Sequence, residues 1–146
     1  MKKTLTIISA ILLFNSCKKE KSKQYSYWKI DGIEYKSNNV EIAIGHQIAS
    51  MGSRDSDRFD LRYYRPSFPT SGEWLIVKQN LSQNPEWVSM NFYLGNKIYH
   101  ISPNEIKYLN VTSNNNKVQF NLSSTWFVEY NNPIDSVLIE GTFNEP

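Results

Sequence analysis

Cysteine is nearly absent from this chain: its 146 residues include one, Cys17. A single thiol excludes an intrachain disulfide framework and any all-thiolate zinc site. The mean hydropathy of −0.52 excludes a polytopic membrane protein. Charge of one sign is scarce too, since 16 Lys and Arg stand against 14 Asp and Glu, a formal +2. So small a surplus leaves no electrostatic footprint for phosphates unless it is clustered, although the sequence pI is near 8.6. There are only two histidines, His46 and His100, and neither has a second ligand type at metal spacing. No Gly-x-Ser-x-Gly elbow, His-Glu-x-x-His helix or phosphate-cradling Gly-rich loop occurs. No catalytic residue, metal or cofactor is therefore expected.

What is present begins at the N-terminus. Lys2 and Lys3 form a positive region, Leu5 to Phe14 carries no charge, and Ser16 is a small residue before Cys17. This is the pattern of a secretory signal peptide over residues 1–16 with cleavage between Ser16 and Cys17. The apolar run is too short for a spanning helix, which needs about 20 apolar residues. Leu13-Phe14-Asn15-Ser16-Cys17 resembles a lipobox, with Phe14 and Asn15 in place of the usual Leu and small residue. Looser boxes ending in Ser-Cys are common in Bacteroidota lipoproteins, and Cys17-Lys18-Lys19-Glu20 partly resembles that group's surface-export signal. The resemblance implies lipidation of Cys17 and anchoring in the outer membrane, where several acyl chains hold stably and one is marginal. It leaves open whether the protein faces the periplasm or the cell surface.

Residues 17–24 then read as a lipidated Cys and a solvated tether, because Lys18 to Lys23 carries five charges and no apolar side chain. From Tyr25 to Pro146 the dominant signal is period two. Val40, Ile42 and Ile44 share one face, as do Phe59, Leu61 and Tyr63, then Val88, Met90, Phe92 and Leu94, then Val118, Phe120 and Leu122. Trp74 to Val77 is apolar throughout, as in a strand covered on both faces. Hairpin chemistry separates the runs at Asp31-Gly32, Gly95-Asn96 and Asn114-Asn115-Asn116, and a longer loop spans Arg65 to Gly72. Ser102-Pro103-Asn104-Glu105 has the makings of a helix start, but the β-branched Val111 and Thr112 follow so soon that one turn leading into a strand is expected. The last strand is placed over Ser136 to Phe143. The whole predicts one all-β domain over residues 25–146, an antiparallel β-sandwich, Ig-like or jelly-roll-like, of nine or ten strands.

The opening Trp28-Lys29-Ile30-Asp31-Gly32-Ile33-Glu34-Tyr35 and the closing Glu140-Gly141-Thr142-Phe143 resemble the two ends of small Bacteroidota lipoproteins of unknown function. That resemblance implies a compact β-sandwich lipoprotein and attaches no activity to it.

Few residues suggest chemistry. His100 reads as an ordinary half-exposed strand residue. Asp55, Asp57 and Asp60 are interleaved with Arg54 and Arg58 and lack the calcium-loop Gly and distal Glu, so they read as a solvated turn. Glu73, Glu86 and Glu129 would matter to a carboxylate-dependent hydrolase only if two acids stood roughly 5 to 9.5 Å apart in a cleft. The surplus of aromatics, four Trp, nine Tyr and seven Phe, is more informative. Trp87, Tyr93, Tyr99, Trp126 and Tyr130 are candidates for faces opposite the apolar stripes, where exposed rings could stack on sugars. Tyr63, Tyr64 and Arg65, beside the Pro-containing loop, are candidates for a contact surface. The Asn-x-Ser/Thr triplets at Asn80, Asn110 and Asn121 are ascribed to Asn-rich turns, and Asp135-Ser136-Val137 resembles the Bacteroidota O-glycosylation acceptor, with Ser136 as its hydroxyl.

Without Lys2 and Lys3, 14 basic and 14 acidic residues remain, and the tether holds four Lys and one Glu of these. Gln24–Pro146 therefore carries 10 basic against 13 acidic residues, a charge of −3, and a nucleic-acid partner is not expected. The expectation is a non-enzymatic envelope binding or structural module, with the membrane as one partner and a glycan or another envelope protein as the other. Its alternatives are a cell-surface glycan-binding module and, behind it, a hydrolase.

Overall fold

The computed structural model describes residues 25–45, 48–64, 68–78, 84–114 and 117–146. These residues form eleven strands and no α-helix: β1 (Ser26–Ile30), β2 (Ile33–Ser37), β3 (Val40–Ile44), β4 (Ala49–Ser53), β5 (Arg58–Tyr63), β6 (Gly72–Ile76), β7 (Trp87–Leu94), β8 (Lys97–Ile101), β9 (Tyr108–Asn114), β10 (Lys117–Glu129) and β11 (Ser136–Asn144). They pair in the order β2-β1-β11-β10-β9-β6-β7-β5-β4-β3, and β8 bridges β10 and β7. Two hydrogen-bonded routes thus join β10 to β7, one through β9 and β6 and one through β8, so the centre of the sheet closes on itself. Among the described strands β2 and β3 are the edges.

The fold is all-β and sandwich-like, as the period-two pattern predicts, with two differences in detail. One pairing, β6 with β7, is parallel. The strand that the pattern misses is β4, Ala-Ser-Met-Gly-Ser, which has no β-branched or aromatic residue to announce it. Its pairing with β3 and β5 supplies what local propensity does not.

The core lies between the β2-β1-β11-β10 wing and the β7-β5-β4-β3 wing. Trp28 of β1 meets Phe59 of β5 edge-on, with ring centroids 5.5 Å apart, and Phe59 meets Phe143 of β11 at 4.7 Å. Phe92 of β7 bridges to Phe143 and Phe127 at 5.8 and 5.1 Å. All five side chains are fully buried. Burial of each contributes about 1.5–3 kcal/mol, and each aromatic pair adds about 0.5–1.5.

The two end segments singled out in the sequence are strand neighbours, with Trp28 directly opposite Gly141. A Cβ at Gly141 would stand 2.7 Å from both Trp28 Cβ and the Tyr27 carbonyl oxygen, so the β1 backbone and the root of the Trp28 side chain occupy the space a side chain would need. At the adjoining turn Asp31 and Gly32 have φ of 49° and 83°, the pair of positive values that a two-residue hairpin requires. Asp31 pins the turn to β11, its amide donating to the Leu138 carbonyl and its carboxylate accepting from the Leu138 amide, both at 2.9 Å.

Strand β10 carries Val118, Phe120 and Leu122 inward as the alternation demands, but it runs on to Glu129. Between Leu122 and Thr125 it bulges. Ser123 and Ser124 are both exposed where β11 offers only Glu140, and the inward positions then resume at Thr125 and Phe127. Such a bulge bends and twists a strand, and here it lets one strand pair with β9 before the bend and with β8 beyond it.

Candidate functional site

The bend shapes a groove of about 510 Å³ on the outer face of β1, β11, β10, β9 and β6. Strand register builds it. Tyr27 stands opposite Thr142, Thr142 opposite Asn121, Asn121 opposite Asn110, and Asn110 opposite Glu73. One polar row therefore crosses five strands, about 19 Å at the usual strand spacing. Lys29 faces Glu140 in the neighbouring row, and Tyr108 stands on the far rim of the groove. Every one of these residues takes an outward position, because its strand neighbours Trp28, Phe143, Phe120, Leu122, Leu109, Val111 and Trp74 point into the core.

Hydrogen bonds order the floor. The Thr142 hydroxyl donates to Asn121 Oδ1 at 3.0 Å, Asn121 Nδ2 donates to Gln119 Oε1 at 3.4 Å, and Gln119 Nε2 donates to Asn144 Oδ1 at 2.8 Å. Beside them Ser124 donates to Glu140 Oε2 at 2.6 Å, and Lys29 Nζ lies 3.5 Å from Glu140 Oε1. The Ser124 hydrogen bond and then the Lys29 cation hold the Glu140 carboxyl below its ordinary range. It is a fixed anion at neutral pH, and being half exposed it adds little to stability.

A second depression, of about 230 Å³, lies on the outer face of β3, β4, β5 and β7. Its cations are engaged within the protein. Arg54 Nε donates to Glu41 and Arg62 Nε to Asp60, each at 2.7 Å, and the Arg58 guanidinium sits 4.4 Å from the centroid of the Tyr93 ring.

No family model, curated protein or solved structure matches this chain.

Several residues named from the sequence lie elsewhere than expected. Tyr63, offered as a contact residue, is 0% exposed, with its ring against Phe68 and Phe120, because it shares the inward face of β5 with Phe59 and Leu61. Tyr64 is half-buried, and Arg65, His46, Asn80, Ser16 and Cys17 lie outside the described residues. Tyr99 is a core residue, not an outward one. His100 is buried, not half-exposed: Tyr130 covers it edge-on at 5.7 Å, and its Nδ1 lies 3.0 Å from the Ile101 carbonyl oxygen. Trp87 is half-buried and faces Leu75 of β6, whereas Trp126 is 46% exposed and faces Leu138 of β11, so the two do not share a strand pair.

Of the three acids considered for hydrolysis, Glu73 alone lines the groove. Glu86 is in the turn before β7, and Glu129 is buried at the end of β10. Asp57 accepts from the Gly95 amide at 3.1 Å and Asp60 pairs with Arg62. Among the described residues no cluster of His, Cys, Asp and Glu is placed to hold a metal. Ser136 is exposed at the start of β11, next to Asp135, whose carboxylate accepts from Lys97 and from the Tyr99 hydroxyl.

The groove floor is not apparent from the sequence, although two of its residues stand in conspicuous triplets. Asn110 and Asn121 head Asn-x-Ser/Thr triplets, yet they lie in β9 and β10 directly opposite each other, not in turns. The signal was there in the alternation: each stands between two inward apolar residues, Leu109 and Val111 for the first, Phe120 and Leu122 for the second.

Proposed function

We propose that this chain is a non-enzymatic binding module of the bacterial cell envelope, made with a signal peptide over residues 1–16 and held at the outer membrane by acyl chains on Cys17. The groove between Tyr27 and Glu73 is its binding surface. The observation that carries this reading is the continuous polar row across five strands, whose side chains are held at fixed spacing by the backbone ladder and not by mobile loops. The state of Glu140 supports binding over proton transfer. A general acid at neutral pH needs a raised pKa, and this carboxyl is held down by Ser124 and Lys29.

Two experiments on the full chain in cells test the two halves of the proposal. A fatty-acid analogue should label the wild-type protein and leave Cys17→Ala unlabelled; equal labelling overturns the anchor. A photo-crosslinking residue at position 110, in the groove, should capture an envelope component, and one at position 43, on the opposite outer face, should not. Adducts from position 43 alone overturn the choice of surface.

A further inference from the structure

Resting on that choice of surface, we propose that the groove takes an uncharged glycan chain laid across the strands, with Tyr27 and Tyr108 as stacking platforms at its two sides. The first support is the state of the rings. Tyr27 and Tyr108 are 48% and 49% exposed, and neither makes a ring–ring or cation–ring contact among the described residues. Of the other outward tyrosines, Tyr93 lies under Arg58, Tyr130 covers His100 and lies 5.0 Å from Lys78 Nζ, and Tyr25, nearly as exposed as Tyr27 and Tyr108, does not line the groove. A half-exposed ring with nothing on its face offers apolar area to a flat apolar partner, and the C–H face of a pyranose is one.

The second support is the floor. Three strand intervals and a two-residue diagonal separate the two tyrosines, about 16 Å by ordinary sheet dimensions. Between them lie the carboxamides of Asn110 and Asn121 and the hydroxyl of Thr142. The Asn110 amide offers two donors and one acceptor oxygen, and Asn121 keeps one N–H and one oxygen lone pair beyond its bonds to Gln119 and Thr142, the complement of paired sugar hydroxyls. A peptide is a poorer fit. The usual extended-peptide mode adds a strand to a free sheet edge, and the backbone beneath this groove is already paired on both sides in β11, β10 and β9.

The third support is charge. Glu73 and Glu140 line the groove against Lys29 alone, a local charge of −1. Acidic glycans and nucleic acids, which need cations to replace their counterions, meet net repulsion there.

Affinity gel electrophoresis of the purified mature protein in detergent tests this, using gels cast with soluble glucan, mannan or xylan and a parallel gel with alginate, a polyuronate. At least one neutral polymer should retard the wild type and alginate should not. Tyr27→Ala and Tyr108→Ala should each weaken the retardation by about tenfold, the equivalent of 1.4 kcal/mol, while Tyr27→Phe and Tyr108→Phe keep most of it. Both rings are on the surface, so unchanged melting curves will confirm that the alanine variants fold. Glu73→Gln, which takes the groove's local charge from −1 to 0, should let alginate retard the protein more than it retards wild type.

Alginate binding tighter than any neutral polymer overturns the proposal, as does neutral binding that ignores both alanine variants. If no neutral polymer binds while position 110 still crosslinks in cells, the ligand class is wrong and the binding surface stands. If position 110 captures nothing, the surface itself is wrong.

Discussion

Gly141→Ala tests the packing that sets β1 against β11 and so positions both sides of the groove. Gly141 has no positive φ, so the requirement for glycine there is spatial. The added methyl carbon would meet Trp28 Cβ and the Tyr27 carbonyl oxygen at 2.7 Å and Trp28 Cα at 2.9 Å. These are backbone or backbone-adjacent atoms, so relief requires β1 to move away from β11 and Trp28 to leave its fit against Tyr35, Phe59 and Phe143. Overpacking of this kind costs about 1–3 kcal/mol, and the immobility of the contacts places it near 3. Loss of glycine's freedom in the unfolded chain returns about 0.4–1 kcal/mol, which leaves a net loss of about 2. For a domain of this size that lowers the melting temperature by about 6–10 °C. Calorimetry of Gly141→Ala, Trp28→Ala and the double variant gives the answer. The double variant should lose less than the sum of the two, because once the indole is gone β1 can move off the new methyl without giving up the fit against Tyr35, Phe59 and Phe143. A Gly141→Ala protein that melts within about 1 °C of wild type, or strict additivity, would refute the reasoning.

Other consequences follow from single residues. Phe59→Ala should cost about 3–5 kcal/mol in chemical denaturation, because it empties a site shared by Trp28 and Phe143. Tyr63→Phe should leave stability at neutral pH unchanged or raise it by up to about 1 kcal/mol, since the buried hydroxyl has no hydrogen-bond partner among the described residues. Burial, and then Glu145, raise the Tyr63 pKa. Its contribution is therefore complete below the unfolded value near 10 and is lost as pH rises beyond it, so Tyr63→Phe should reduce the alkaline loss of stability measured by melting above pH 10. Glu140 has the opposite sign. Its lowered carboxyl contributes above the ordinary carboxylate range and loses that contribution as pH falls, so Glu140→Gln should melt slightly below wild type at pH 7 and level with it near pH 3.

What could be read in the sequence was what a short window determines. Asp31-Gly32 announced its turn because few dipeptides tolerate two positive φ values, and Trp87–Leu94 alternates cleanly along its whole length, so its bounds agree with β7. The site was harder, because it is made by register. Tyr27, Thr142, Asn121, Asn110 and Glu73 come from five segments, and nothing local says that they align. The Ser123-Ser124 bulge hid the second half of β10 by shifting its alternation. Asn favours turns, which argues for turns at Asn110 and Asn121, and the apolar neighbours of both override that preference. Tyr64 and Arg65 suggest a surface position for Tyr63, but its own strand phase points it inward, and His100 is covered by Tyr130, thirty positions away.

Where a sugar touches the protein can be measured directly. Backbone amide shifts recorded by NMR while the neutral oligosaccharide that corresponds to the retarding polymer is titrated in should move at Tyr27, Tyr108, Asn110, Asn121 and Thr142. Those at Arg54, Arg58 and Arg62 on the opposite face should stay still. Shifts centred on that opposite face, or on Trp87 or Trp126, with the groove unmoved, would contradict it.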